Sequence, residues 1–171
     1  MRTLFLFLLL LLSFQLPLHA KQVSRIGTEV GQYAPPFALS DLEGRTISLE
    51  SLRGRVVLLN FWSTLCAPCI AEMPSLSRMS SALRDKGLQV LSVAIDASDK
   101  PVREYARKNA IPFTVLLDKD KAVFFDDYAG PSLPATYLLD RNGVIVDTFI
   151  GPQAWDAPEM KKRITILLEE K

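Results

Sequence analysis

The chain has 171 residues, with 20 lysines and arginines against 19 acidic residues and a net charge of +1. The length suits one domain with a sizeable core rather than two, and the balanced charge, with no basic run, leaves nothing to support nucleic acid as a partner. Two cysteines and one histidine fall short of the roughly four soft ligands that a structural zinc site takes.

Met1-Arg2 and the apolar run Leu4 to Leu12, ending near Leu18-His19-Ala20, have the layout of a secretory signal over residues 1–20. A membrane span needs about 20 apolar residues, and Gln15 and Pro17 interrupt this run; an uncleaved N-terminal anchor is the second expectation. Residues 21–33 are polar and aperiodic and read as a linker, and residues 34–171 read as the folded domain. Phe37-Ala38-Leu39 and Thr46-Ile47-Ser48-Leu49, around a Gly-containing turn, predict a hairpin that covers a sheet edge. Val56 to Trp62 has the length and β-branched content of a buried parallel strand, and Ile70, Met73, Leu76, Met79 and Leu83 then recur at helical spacing.

Gln89 to Ile95 is a second buried strand, parallel to the first through a right-handed crossover. Pro101 to Asn109 predicts a helix, Phe113 to Leu117 a strand, Asp118 to Lys121 a solvated turn, and Val123, Phe124 and Tyr128 a short helix. Asn142-Gly143 between Thr136–Leu139 and Val144–Phe149 is the strongest short hairpin signal. Met160, Ile164, Leu167 and Leu168 share one face of a last helix, Pro158 to Glu170, with Asp156 placed to cap it. The fold class is α/β, a central mixed sheet with helices on both faces.

Both cysteines lie in Cys66-Ala67-Pro68-Cys69, at the junction between the first buried strand and its helix. The first turn of a helix presents unpaired N–H groups and the positive end of the macrodipole, which favour a thiolate. A cysteine pKa of about 8.5 falls to roughly 3.5–7.5 in such a motif, so Cys66, at the junction, should be the more acidic thiol. Cys69 is three residues on, within reach of a disulfide, and Pro68 fits the first turn without losing a helix hydrogen bond. A structural disulfide would usually close a longer loop. Redox cycling of Cys66 and Cys69 is the expectation, with no cofactor and no metal. Glu72, one turn after Cys69, faces the same side of the helix.

Phe61-Trp62-Ser63-Thr64-Leu65-Cys66-Ala67-Pro68-Cys69-Ile70-Ala71-Glu72-Met73-Pro74 resembles the active-site stretch of thioredoxin-like periplasmic thiol-disulfide oxidoreductases, the TlpA/ResA-like group of the cytochrome c maturation type. Ala34-Pro35-Pro36-Phe37 is similar to that group's entry segment, and Leu133-Pro134-Ala135-Thr136 to its cis-proline loop. The resemblance runs from Ala34 to the C-terminus and implies a thioredoxin-like fold with an extra N-terminal hairpin. It also implies a proton-handling role for Glu72, and a cis bond before Pro134 that leaves the Leu133 backbone to pair with an extended substrate. Asn60 stands where thioredoxin itself carries a buried aspartate, which leaves Glu72 to serve Cys69. Leu65 departs from the group, which most often has tryptophan there, and this touches substrate preference. Trp62 is either a core residue or part of an apolar rim around Cys66, the rim being the favoured expectation, and Trp155 is expected to serve in packing.

The function these residues predict is reduction of protein disulfides in a periplasmic compartment, fed by a membrane electron donor. Ala67-Pro68 resembles the reductant end of the family, since the strong oxidant carries a histidine between its cysteines. Two alternatives stand beside it: a soft-metal module holding Cu(I) on the two thiolates, and a peroxidase of the same fold class. The first has no histidine or methionine cluster to support it. The second expects a threonine and a proline at spacings that are not found before Cys66.

Overall fold

The computed structural model describes residues 26–170, so the expected signal over residues 1–20 lies outside the described residues. The apolar runs become seven strands: β1 (Ala38–Asp41), β2 (Thr46–Ser48), β3 (Val56–Trp62), β4 (Leu88–Ala94), β5 (Thr114–Leu117), β6 (Ala135–Leu139) and β7 (Ile145–Ile150). They form one mixed sheet in the order β2-β1-β5-β4-β3-β6-β7. β3, β4 and β5 are parallel, as expected of strands joined by helical crossovers, and β6 runs antiparallel to β3. β1 pairs antiparallel with β2 and with β5, so the hairpin extends the sheet beyond β5. Asn142-Gly143 turns β6 into β7, with Gly143 at φ +75°, a left-handed conformation that glycine adopts without steric cost.

Three α-helices follow their strands: α1 (Ala67–Leu83), α2 (Asp99–Lys108) and α3 (Pro158–Glu169). All three pack on one face. Cys69, Met73, Leu76, Met79 and Leu83 of α1, Val102 of α2, and Ile164 and Leu168 of α3 share a core with Val56, Leu58 and Trp62 of β3. The opposite face, built on Val57, Leu59 and Phe61, is covered by a 3₁₀ turn at Leu49–Leu52 and a π-turn at Val123–Asp127. Helical elements thus flank the sheet, but the long ones lie on one side only.

Three local expectations need correction. Asp118 is fully buried rather than solvated, because its carboxylate accepts the Phe124 N–H at 2.9 Å and so caps the π-turn. Asp156 does not cap α3, whose N-cap is Ala157; it pairs with Arg78 on α1 at 2.5 Å. The stretch just before Ala34 is also packed on the domain: Gly31 donates to the Ile145 carbonyl at 2.8 Å, and Tyr33 bridges Val144. Among the described residues no helix is long and apolar enough to cross a membrane.

Candidate active site

β3 delivers the chain to the end of the sheet, and Ser63-Thr64-Leu65 turn it into α1. Cys66 is the N-cap of α1 in extended backbone conformation, so its sulfur sits over the first turn and accepts the Cys69 N–H at 3.2 Å. The two sulfurs form a disulfide, 2.11 Å long, with Cα atoms 5.3 Å apart. Their surroundings differ: Cys66 is half-buried, whereas Cys69 is 0% exposed in the core under α1. Of the two sulfurs, Cys66 is therefore the one in the more open position.

Glu72 continues the buried side of α1 and is 3% exposed. Its Oε1 accepts from Asn60 Nδ2 at 3.0 Å, and its Oε2 accepts from the Gln153 N–H at 2.9 Å and from Trp155 Nε1 at 3.1 Å. Burial pushes the Glu72 carboxyl above the ordinary glutamate value, and the hydrogen bonds from Gln153, Trp155 and Asn60 pull the other way. Asn60 also donates to Thr136 Oγ1 at 2.9 Å, tying β3 to β6 beneath the carboxylate. Trp155 is thus a donor as well as the packing residue foreseen. Gln153 and Thr136 carried no signal in the sequence, because they lie 81 and 76 residues from the groups they bind.

The rim is built differently from expectation. Trp62 is 0% exposed and packs on Tyr105 of α2 at 5.4 Å between ring centroids, so it cannot form an apolar rim around Cys66. Strand alternation explains this, since Trp62 points to the same side as Val56 and Leu58, under the helices. Leu65, 92% exposed, takes the rim position. It lines a groove of about 510 Å³ with Cys66, Ile95, Asp96, Pro101, Lys121 and Leu133. The Leu133-Pro134 bond is cis, Pro134 is buried, and its carbonyl accepts the Gly151 N–H at 2.9 Å. Cys66, Cys69, Glu72, Leu133 and Pro134 are thus gathered at one end of β3. A larger cleft of about 680 Å³, lined by Arg45, Arg84, Arg103 and Arg107, contains neither cysteine.

A mixed sheet with a disulfide pair at the strand-to-helix junction, a buried carboxylate one turn on and a cis-proline nearby defines a thioredoxin-like thiol-disulfide oxidoreductase. The chain belongs to the AhpC/TSA family, whose profile matches residues 30–148. It is similar to the thiol-disulfide oxidoreductase ResA of Bacillus anthracis, 35% identical over 138 residues that cover 80% of this chain and 79% of that protein. It is 40% identical over 139 residues to the thioredoxin-like protein YneN of Bacillus subtilis, covering 80% of each. Among solved structures, a protein assigned as the thiol:disulfide interchange protein DsbE from Chlorobium tepidum superposes with a TM-score of 0.76 at 29% identity, covering 83% of this chain and 99% of that one.

Proposed function

We propose that the protein reduces disulfides of client proteins in an extracytoplasmic, periplasm-like compartment, with Cys66 attacking, Cys69 resolving and Glu72 handling the proton. The observation that carries these roles is the asymmetry of the pair: Cys66 is half-buried at a helix N-cap, and Cys69 is 0% exposed one turn before a buried carboxylate. The Cys66 thiolate attacks one sulfur of the client disulfide, forming a mixed disulfide and releasing the other sulfur as thiolate. Cys69 then passes its proton to Glu72 and attacks Cys66 Sγ, which releases the second client thiolate and closes the Cys66–Cys69 disulfide. The client gains two electrons and the protein loses two.

Leu65 and Leu133 frame the groove where a client segment lies against Cys66, and the Leu133 backbone is the place for an extended client strand to pair. Export of the chain by residues 1–20, cleaved or kept as an anchor, supplies the compartment. A low-potential pair in an oxidising space becomes inert unless re-reduced, so a membrane electron donor is part of this reading. Clients of the cytochrome c maturation type fit the resemblance in the active-site stretch. Equilibrium with glutathione tests the direction: a potential near about −250 mV or lower is expected, and one near about −120 mV would make the protein an oxidant. Cys69→Ala should accumulate mixed disulfides through Cys66, which identifies the clients.

A further inference from the structure

Asp96 is a buried carboxylate on the Cys66 groove that the thiol chemistry described above leaves unused. It follows β4, is 7% exposed, and lines the groove together with Cys66. Its Oδ2 accepts the Thr64 N–H at 3.0 Å and its Oδ1 accepts the Thr64 hydroxyl. Thr64 stands two residues before Cys66, in the turn between β3 and α1, and the Leu65 N–H in the same turn is held by Ser63 Oγ at 3.2 Å. Both carboxylate oxygens are therefore committed to the segment that carries the reactive sulfur. No ion pair among the described residues includes Asp96. The other charged side chain on the groove is Lys121. Asp118 at the end of β5 is turned to the Val123 and Phe124 amides, and Glu72 lies on the far side of Cys69 within its own network.

We propose that Asp96 is a positioning residue for Cys66 that also sets its thiolate character. Through Thr64 it fixes the turn that places Cys66 at the helix N-cap. Its negative charge on a partly desolvated groove opposes the thiolate that the helix end favours, because a nearby like charge disfavours the charged form. The dithiol form is then poorer in thiolate, and a less stabilised dithiol makes a stronger reductant. This places a brake on Cys66 acidity outside the Cys-x-x-Cys motif. The inference rests on the reading of Cys66 as the attacking thiol.

The test is the pH dependence of alkylation of the reduced full chain, followed separately at each cysteine. Asp96→Asn keeps an acceptor for the Thr64 N–H and removes the charge. It should lower the Cys66 pKa by about half a unit or more, and shift the glutathione equilibrium towards the dithiol at mildly alkaline pH. Thr64→Val keeps the charge while deleting the hydroxyl bond, and should not lower that pKa. In the unaltered dithiol protein, the Asp96 side-chain carbon resonance should shift in step with Cys66 titration, a measurement that needs no variant to fold. Alkylation profiles that superimpose for Asp96→Asn and the unaltered protein, or an Asp96 resonance blind to Cys66, would overturn the proposal. Fast alkylation at Cys69 in the unaltered protein would instead overturn the assignment of the attacking thiol.

Discussion

From one strand, β3, the chain builds two unlike cores. Val57, Leu59 and Phe61 point to a face packed with aromatic rings, where Phe61 lies 4.9 Å from Tyr128, 5.4 Å from Phe124 and 6.1 Å from Tyr137 between centroids. The Tyr128 hydroxyl donates to the Pro35 carbonyl at 3.0 Å, so even its polar atom is satisfied. Asn60 and Trp62 point the other way, under the three α-helices, and that face contains the buried Glu72 and Ser75. In register across three strands, Ser92 of β4, Asn60 of β3 and Thr136 of β6 form a polar row beneath the carboxylate. Two buried atoms of this row, Asn60 Oδ1 and Ser92 Oγ, have no protein partner, nor does Trp62 Nε1 on the same face. Buried polar groups of this kind cost stability. The aromatic face is where the domain recovers stability, and the helical face is where it gives some up to hold a carboxylate near a thiol.

The sharpest way to break this division is Phe61→Ala. Removing a fully buried ring from the aromatic face should destabilise the oxidised domain by about 3–5 kcal/mol, measured by urea unfolding. The rate of disulfide exchange per folded molecule should hardly change. A variant that stays folded but loses most of its exchange rate would show that the two faces are not separate in function.

Glu72→Gln tests the opposite face. Without a carboxylate to take the Cys69 proton, resolution of the mixed disulfide at neutral pH should slow by roughly a hundredfold, the lower end of general-base effects. The fold should persist, since Asn60 can turn its amide to accept from the new Nε2–H. Stability should also change its pH dependence. A carboxyl raised by burial binds its proton more tightly folded than unfolded, so stability present at low pH is lost as pH climbs from the ordinary glutamate value to the raised one. The Gln variant should lack that downward slope. Equal resolution rates for both proteins across this range would leave Glu72 as a structural acceptor.

Much of this division was readable in the sequence, and its limits have physical causes. Strand parity and helical spacing locate β3 and α1, and the cysteine spacing locates the reactive pair, because these are local signals. Glu72 also shows itself locally, one turn from Cys69. The same parity rule, applied to Trp62, assigns it to the side of Val56 and Leu58, which is why a rim position fails. What stays hidden is whatever tertiary packing brings in. The loop at Gln153 and Trp155 reaches Glu72 only because α3 returns to the helical face, and Asp96 reaches Thr64 only because β4 ends beside β3. Asp118 reads as part of a charged surface turn, yet two backbone amides of the π-turn draw it inside.

The smallest expected effect sharpens the comparison most finely. Ser92 is 0% exposed, sits opposite Asn60 in the β3–β4 register, and its hydroxyl has no protein partner. An unpaired buried hydroxyl costs about 1–3 kcal/mol, part of which Ser92→Ala should recover, while loss of one oxygen leaves little space to fill. The variant should therefore unfold at equal or slightly higher urea concentration, with a gain of up to about 1 kcal/mol, and resolve mixed disulfides at the unaltered rate. A loss of stability would mean that the hydroxyl is hydrogen-bonded after all, and the polar row would then be a satisfied network rather than a cost carried by the helical face. A slower resolution step with stability unchanged would add β4 to the elements that support the role proposed for Glu72.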